Sequence, residues 1–112
     1  MAKIRSAERI EVSSGNVFAD LGLPDADELD TKHRLAVAIN RELQARRLTQ
    51  SAAAAALAIN QPKISALKHY KLEGFSVERL MTFLTALGSD IEIRIRPPTA
   101  TKRAGRIVVE AA

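Results

Sequence analysis

Between residues 31 and 73 the chain carries eight basic side chains against two acidic ones, Glu42 and Glu73, a local charge of +6. The cations are Lys32, Arg34, Arg41, Arg46, Arg47, Lys63, Lys68 and Lys71. Clustered cations raise the local potential and release counterions on contact, so this stretch suits a polyanionic partner. Catalysis has much less to work with. There is no cysteine, which removes disulfides, thiolate nucleophiles, zinc ribbons and iron–sulfur clusters together. His33 and His69 lie far apart in sequence and leave little for a metal site, and His69 reads as a surface or interface residue. Ser13 and Ser14 precede Gly15 with no histidine nearby, and there is no glycine-rich phosphate loop. Asp25, Asp27, Glu28 and Asp30 crowd one helix start, where capping and the helix dipole explain them without a metal or an acid–base pair. The expectation is a protein without enzymatic activity, metal or cofactor.

At 112 residues the chain is long enough for one core with short tails. Its 46% hydrophobic and 27% charged residues are ordinary for a soluble globular protein. No run approaches the roughly 18 apolar residues of a membrane span. The start, Met1 to Ser6, has charge but no apolar stretch behind it, so export is not expected and the cytoplasm is. Charge is unevenly spread. Residues 1–30 carry three basic and seven acidic side chains, and the last 39 carry six basic and four acidic. The acidic leader is suited to shielding the basic middle or to meeting a basic protein.

These side chains need elements to position them. Glu8 to Val12 alternates like a short strand, and Ser13 to Asn16 breaks it. Val17, Phe18 and Leu21 suggest one helical turn closed by Gly22 and Pro24. Asp25 to Glu28 reads as a capped helix start, and Leu35, Ala36, Ile39 and Leu43 give that helix one apolar face for about five turns. Thr49 is the next N-cap, before five consecutive alanines, Ala52 to Ala56. Asn60 caps a third helix with Pro62 in its first turn and Ile64 and Leu67 facing inward. Two short helices joined by a few residues, the second polar and basic, meet the requirement of a helix-turn-helix. Ser76 caps a fourth helix, Val77 to Leu87, whose Leu80, Phe83, Leu84 and Leu87 form a wide apolar stripe ended by Gly88. Ile91 to Arg96 alternates strictly and predicts a strand stopped by Pro97 and Pro98. That strand needs a partner: the leader, residues 106–109, or its copy in a dimer. Thr99 to Gly105 reads as a flexible basic linker, and Arg106 to Glu110 as a further short strand or a disordered end.

Leu48-Thr49-Gln50, Ala53-Ala54 and Leu57 to Ser65 together resemble the Cro/C1-type (XRE) helix-turn-helix. Ser13 to Gly22 and Gly74-Phe75-Ser76 are similar to a subgroup of XRE regulators that includes HigA-type antitoxins. The resemblance runs from about Ser13 to Pro97. It implies a mainly α, lambda-repressor-like bundle of about five helices with one or two short strands. Residues 1–24 would form an acidic leader, 25–97 the helix-turn-helix domain with its C-terminal strand, and 98–112 a flexible basic tail. In function it implies a dimeric operator-binding protein, often repressing an operon shared with a small basic ribonuclease toxin. Two positions depart from the family. Ala58 stands where the turn usually has a glycine, which readily takes the left-handed conformation, and Tyr70 stands where a glycine often ends the recognition helix.

The resemblance also implies roles. The start of the recognition helix enters the major groove, so Gln61, Pro62, Lys63, Ser65 and Ala66 would face base edges, with Gln61 able to pair adenine bidentately. Gln50 would meet phosphate at the start of the second helix, and Lys68, Lys71 and Arg46 are further phosphate candidates. Arg46 and Arg47 equally suit a helix end. A homodimer follows, because two recognition helices must sit about one DNA turn, roughly 34 Å, apart. The best interface material is Leu80, Phe83, Leu84 and Leu87 with Ile91, Ile93 and Ile95, unless both elements only complete the monomer core. Val17, Phe18 and Leu21 would face a toxin. Three functions stay open: an autorepressing antitoxin, an XRE regulator without a toxin, and a protein-interaction module whose helix-turn-helix is only structural.

Overall fold

A computed structural model of the chain describes residues 25–99 and 104–111. The described residues fall into two units divided after Asp30, and the core lies in the second. The strand expected at residues 8–12, the helical turn at Val17 to Leu21 and its toxin-facing role all lie outside the described residues.

Four helices appear among the described residues: α1 (Ala26–Ala45), α2 (Gln50–Leu57), α3 (Gln61–Lys68) and α4 (Val77–Ala86). The starts of the last three are fixed as their sequence suggests. Thr49, Asn60 and Ser76 are extended, and their side-chain oxygens accept from the N–H groups of Ala52, Lys63 and Arg79 at 3.1, 2.9 and 3.0 Å. Each such cap is worth about 1 kcal/mol. Asp25 differs. Its φ of 56° is left-handed, not the extended conformation of an N-cap, and its carbonyl accepts from Leu29 N–H at 3.0 Å.

The helix ends share one device. In each, one residue beyond the helix donates to the carbonyl five positions back and its predecessor to the carbonyl three positions back, which are the paired bonds of a Schellman motif. Leu48 donates to Leu43, Ile59 to Ala54, Lys71 to Ala66 and Ser89 to Leu84, at 2.9–3.2 Å. The left-handed residue this turn requires is Arg47, Ala58, Tyr70 and Gly88 in turn, with φ of 54°, 57°, 59° and 91°. Three of these four corners therefore close without glycine, each against a steric cost of about 1–2 kcal/mol.

The core is built from the faces the periodicity marks. α1 contributes Leu35, Ala36, Ile39 and Leu43, α2 Ala53, Ala54 and Leu57, and α3 Ile64 and Leu67. α2 packs against both α3 and α4, and its alanines bring those helices close. From α4, Leu80, Phe83 and Leu84 enter the core, followed by Leu87. Burying each such side chain contributes about 1.5–3 kcal/mol. Phe75, from the preceding loop, meets Phe83 edge-on with ring centroids 5.8 Å apart.

No strand is present among the described residues, so the expected bundle of about five helices with strands appears as four helices. Residues 91–96 and 106–110 have the side chains of strands, but neither segment forms a backbone ladder with the other. Period-two alternation specifies which face is apolar; a strand also needs a second backbone to satisfy its N–H and C=O groups. Among the described residues no helix is long and apolar enough to cross a membrane, and no group of three or more His, Asp or Glu is placed to hold a metal.

Candidate nucleic-acid interface

Helix α3 is oriented by its two apolar residues. Ile64 and Leu67 are fully buried, and Gln61, Pro62 and Lys63 are exposed at its N-terminal end. Ser65 and Ala66 are half-buried, which narrows the face open to a groove toward the first turn. Pro62 fits there because a missing N–H in the first turn breaks no helical bond. Gln50 is exposed at the start of α2, and Lys68 and Lys71 are exposed at and beyond the end of α3.

A bond across the fold ties α3 to α1. Asn40 Nδ2 donates to the carbonyl of Leu67 at 3.1 Å, while its Oδ1 is buried without a hydrogen-bond partner. Beside this bond Asn40, Gln44, Arg47, Lys68 and Tyr70 line a surface hollow of about 610 Å³. Two cations that are 21 positions apart in sequence thus share one surface. Tyr70 also lies against the His33 ring, with centroids 5.1 Å apart.

Other expected roles change on inspection. Arg46 was a phosphate candidate, yet its Nε pairs with Glu42 Oε1 at 3.3 Å and its Nη2 donates to the carbonyl of Leu87. It anchors the end of α1 to the end of α4, where a cation suits the unpaired carbonyls. Lys63 places its Nζ 5.4 Å from the centre of the Phe75 ring, a cation–π distance that holds its head toward the loop before α4. For the expected interface stripe, burial favours the alternative in which it completes the monomer core. Leu80, Phe83, Leu84 and Leu87 are at most 5% exposed within their own chain, so they have no surface to offer a partner. Ile93 and Ile95 are 76% and 89% exposed, and Ile91 is partly buried against the core.

Sequence reasoning missed three of these links: Asn40 to Leu67, Arg46 to Leu87, and Phe75 beneath Lys63. The first had a faint signal. Asn40 follows the buried Ile39 on a helix whose apolar face surrounds it, where a polar side chain needs a partner. The other two join residues whose proximity follows only from how α1, α3 and α4 cross.

A helix-turn-helix domain family matches residues 17–96 of the chain. A solved structure named "Putative XRE Family Transcriptional Regulator" is 61% identical, with a TM-score of 0.74, and the match covers 80% of this chain and all of that one. The chain belongs to the XRE family of helix-turn-helix proteins. No curated protein matches it. In this XRE-family domain α2 and α3 are the two helices of the motif, and Ala58 supplies the left-handed turn between them. The departure from glycine at that position leaves the turn intact.

Proposed function

We propose that this XRE-family chain is a sequence-specific DNA-binding transcriptional regulator, acting in the cytoplasm as a homodimer and not as an enzyme. The observation that carries it is the split of α3: Ile64 and Leu67 are wholly buried while Gln61, Pro62 and Lys63 are exposed at the leading end. That arrangement suits a helix that enters a major groove by its N-terminus. Gln61 is then the principal base reader, Lys63 reads guanine or phosphate after leaving Phe75, and Gln50, Lys68 and Lys71 hold the backbone. A footprint of the protein on DNA upstream of its own coding sequence tests this. The expected result is two protected half-sites about one helical turn apart. Equal affinity for a scrambled duplex contradicts it and leaves the helix-turn-helix as architecture.

The finer reading is an autorepressing antitoxin. It is supported by the leader's resemblance to HigA-type proteins and by its acidic balance, seven acidic against three basic side chains in residues 1–30. A segment of that kind can order on a basic partner through Val17, Phe18 and Leu21. Deleting residues 1–22 should abolish capture of a small basic protein encoded next to the gene and spare DNA binding. Loss of both functions together contradicts a separate partner-binding leader. An XRE regulator without a toxin is the outcome if no neighbouring basic protein binds the full chain.

A further inference from the structure

Of the three helix ends that close without glycine, two do so at Arg47 and Tyr70, with φ of 54° and 59°. Both residues line the hollow beside the bond from Asn40 to Leu67. Glycine takes the left-handed conformation without steric cost, so a long polar side chain at such a corner is kept against the backbone's preference. Here each corner contributes a hydrogen-bond donor, a guanidinium and a phenol, to one place. Lys68 adds a second cation from the end of α3, and Gln44 adds an amide from α1. Among the described residues no acidic side chain lines the hollow, and Glu42, the acid nearest Arg47 in sequence, is paired with Arg46. Two positive charges thus share a lining that holds no countercharge. The lining also has an unsatisfied acceptor. Asn40 Nδ2 is committed to the Leu67 carbonyl, and its Oδ1 is buried without a hydrogen-bond partner.

We propose that this hollow binds a phosphate group that carries a proton, as a free phosphate monoester does. Arg47 and Lys68 hold its oxygens, Tyr70 and Gln44 donate to them, and the P–OH donates to Asn40 Oδ1. The His33 ring, in contact with Tyr70, steadies the phenol. A volume of about 610 Å³ lies within the range of about 300–1,000 Å³ usual for small-ligand clefts, which leaves room for the organic part of the ester. A phosphodiester of the DNA backbone offers the same charge and acceptor oxygens but has no proton to give. It would leave the buried Oδ1 unsatisfied, which is the costly state of a polar atom, so the monoester is the better fit. The site goes beyond the DNA-binding reading and does not depend on it. Lys68 is the one residue it shares with the proposed backbone contacts.

Tyr70 is the only tyrosine in the chain, so fluorotyrosine labels the hollow alone and gives one fluorine NMR signal. Methyl phosphate and dimethyl phosphate are the probes, titrated into the full chain at constant ionic strength. At about pH 5.5, below the second phosphate pKa of about 6, both carry close to one negative charge and only methyl phosphate keeps a proton. Methyl phosphate should move the signal along a saturable curve, and dimethyl phosphate should bind about tenfold more weakly. Arg47→Gly separates the site from the fold. It relieves the left-handed corner, so Tm should rise, while the affinity for methyl phosphate should fall about tenfold. Lys68→Gln should weaken the same ligand by a similar factor. Equal binding of the two probes overturns the monoester assignment. A salt slope of DNA binding shallower by about one unit in Arg47→Gly would then give the seat to the DNA backbone. No saturable shift with methyl phosphate, or the same affinity in wild type and Arg47→Gly, overturns the site altogether. Base reading by Gln61 is untouched by either failure, because it is measured on DNA alone.

Discussion

Ala58→Gly should stabilise the domain by about 1 kcal/mol. Ala58 sits at φ 57°, ψ 43°, in the middle of the left-handed region, and its N–H donates to Ala55 O at 3.3 Å. A residue with a Cβ costs about 1–2 kcal/mol there, and glycine costs almost nothing. Against this, glycine loses more backbone freedom on folding, by several tenths of a kcal/mol. Ala58 is exposed, so its methyl group contributes little packing to lose. The net gain of about 1 kcal/mol corresponds to a Tm rise of roughly 4–8 °C for a domain of this size. Gly88→Ala is the mirror test. At φ 91° an added Cβ meets only Arg46 Nη2 at 3.6 Å, an ordinary contact, so the expected loss of about 1 kcal/mol or more is a backbone effect. Thermal and urea unfolding of both variants measures the pair. If Ala58→Gly fails to raise Tm while Gly88→Ala is harmless, the left-handed corners are not under the strain their dihedrals imply.

Three other outcomes follow from the same geometry. Tyr70→Gly should relieve a similar strain at φ 59° but lose the ring contact with His33, so its change in Tm should be smaller than that of Ala58→Gly. Arg46→Ala should cost about 1 kcal/mol in urea unfolding, since the guanidinium is about half exposed, and leave the salt dependence of DNA binding unaltered. Lys68→Ala and Lys71→Ala should each weaken operator and scrambled duplexes alike and shallow the salt slope by about one unit in titrations from low to moderate salt.

The legible parts of the fold were those governed by local chemistry. Thr49, Asn60 and Ser76 announce three helix starts because a short side-chain oxygen satisfies a nearby N–H. Leu35, Ala36, Ile39 and Leu43 announce a buried face because 3.6-residue spacing is visible without any tertiary knowledge. Gly88 announces an end, whereas Arg47, Ala58 and Tyr70 end helices without the residue that normally signals it. The stripe on α4 was visible, but its destination was not, since an apolar face looks the same whether the core or a second copy covers it. The strand at Ile91 to Ile95 failed for a complementary reason: its pattern is local and its hydrogen-bond partner is not. The site was legible where burial defines it by subtraction, as at Gln61 to Lys63. Arg46 and Lys63 look like free cations in sequence and are held by Leu87 and Phe75 only once the helices cross.

The central claim, that the leading end of α3 reads bases, is tested most directly by Gln61→Ala on operator and scrambled duplexes at several salt concentrations. Removing one base-edge contact should weaken operator binding by about 1–3 kcal/mol and relax discrimination at a single base pair, with the salt slope unchanged. Equal weakening on both duplexes with the preference intact would contradict base reading by Gln61.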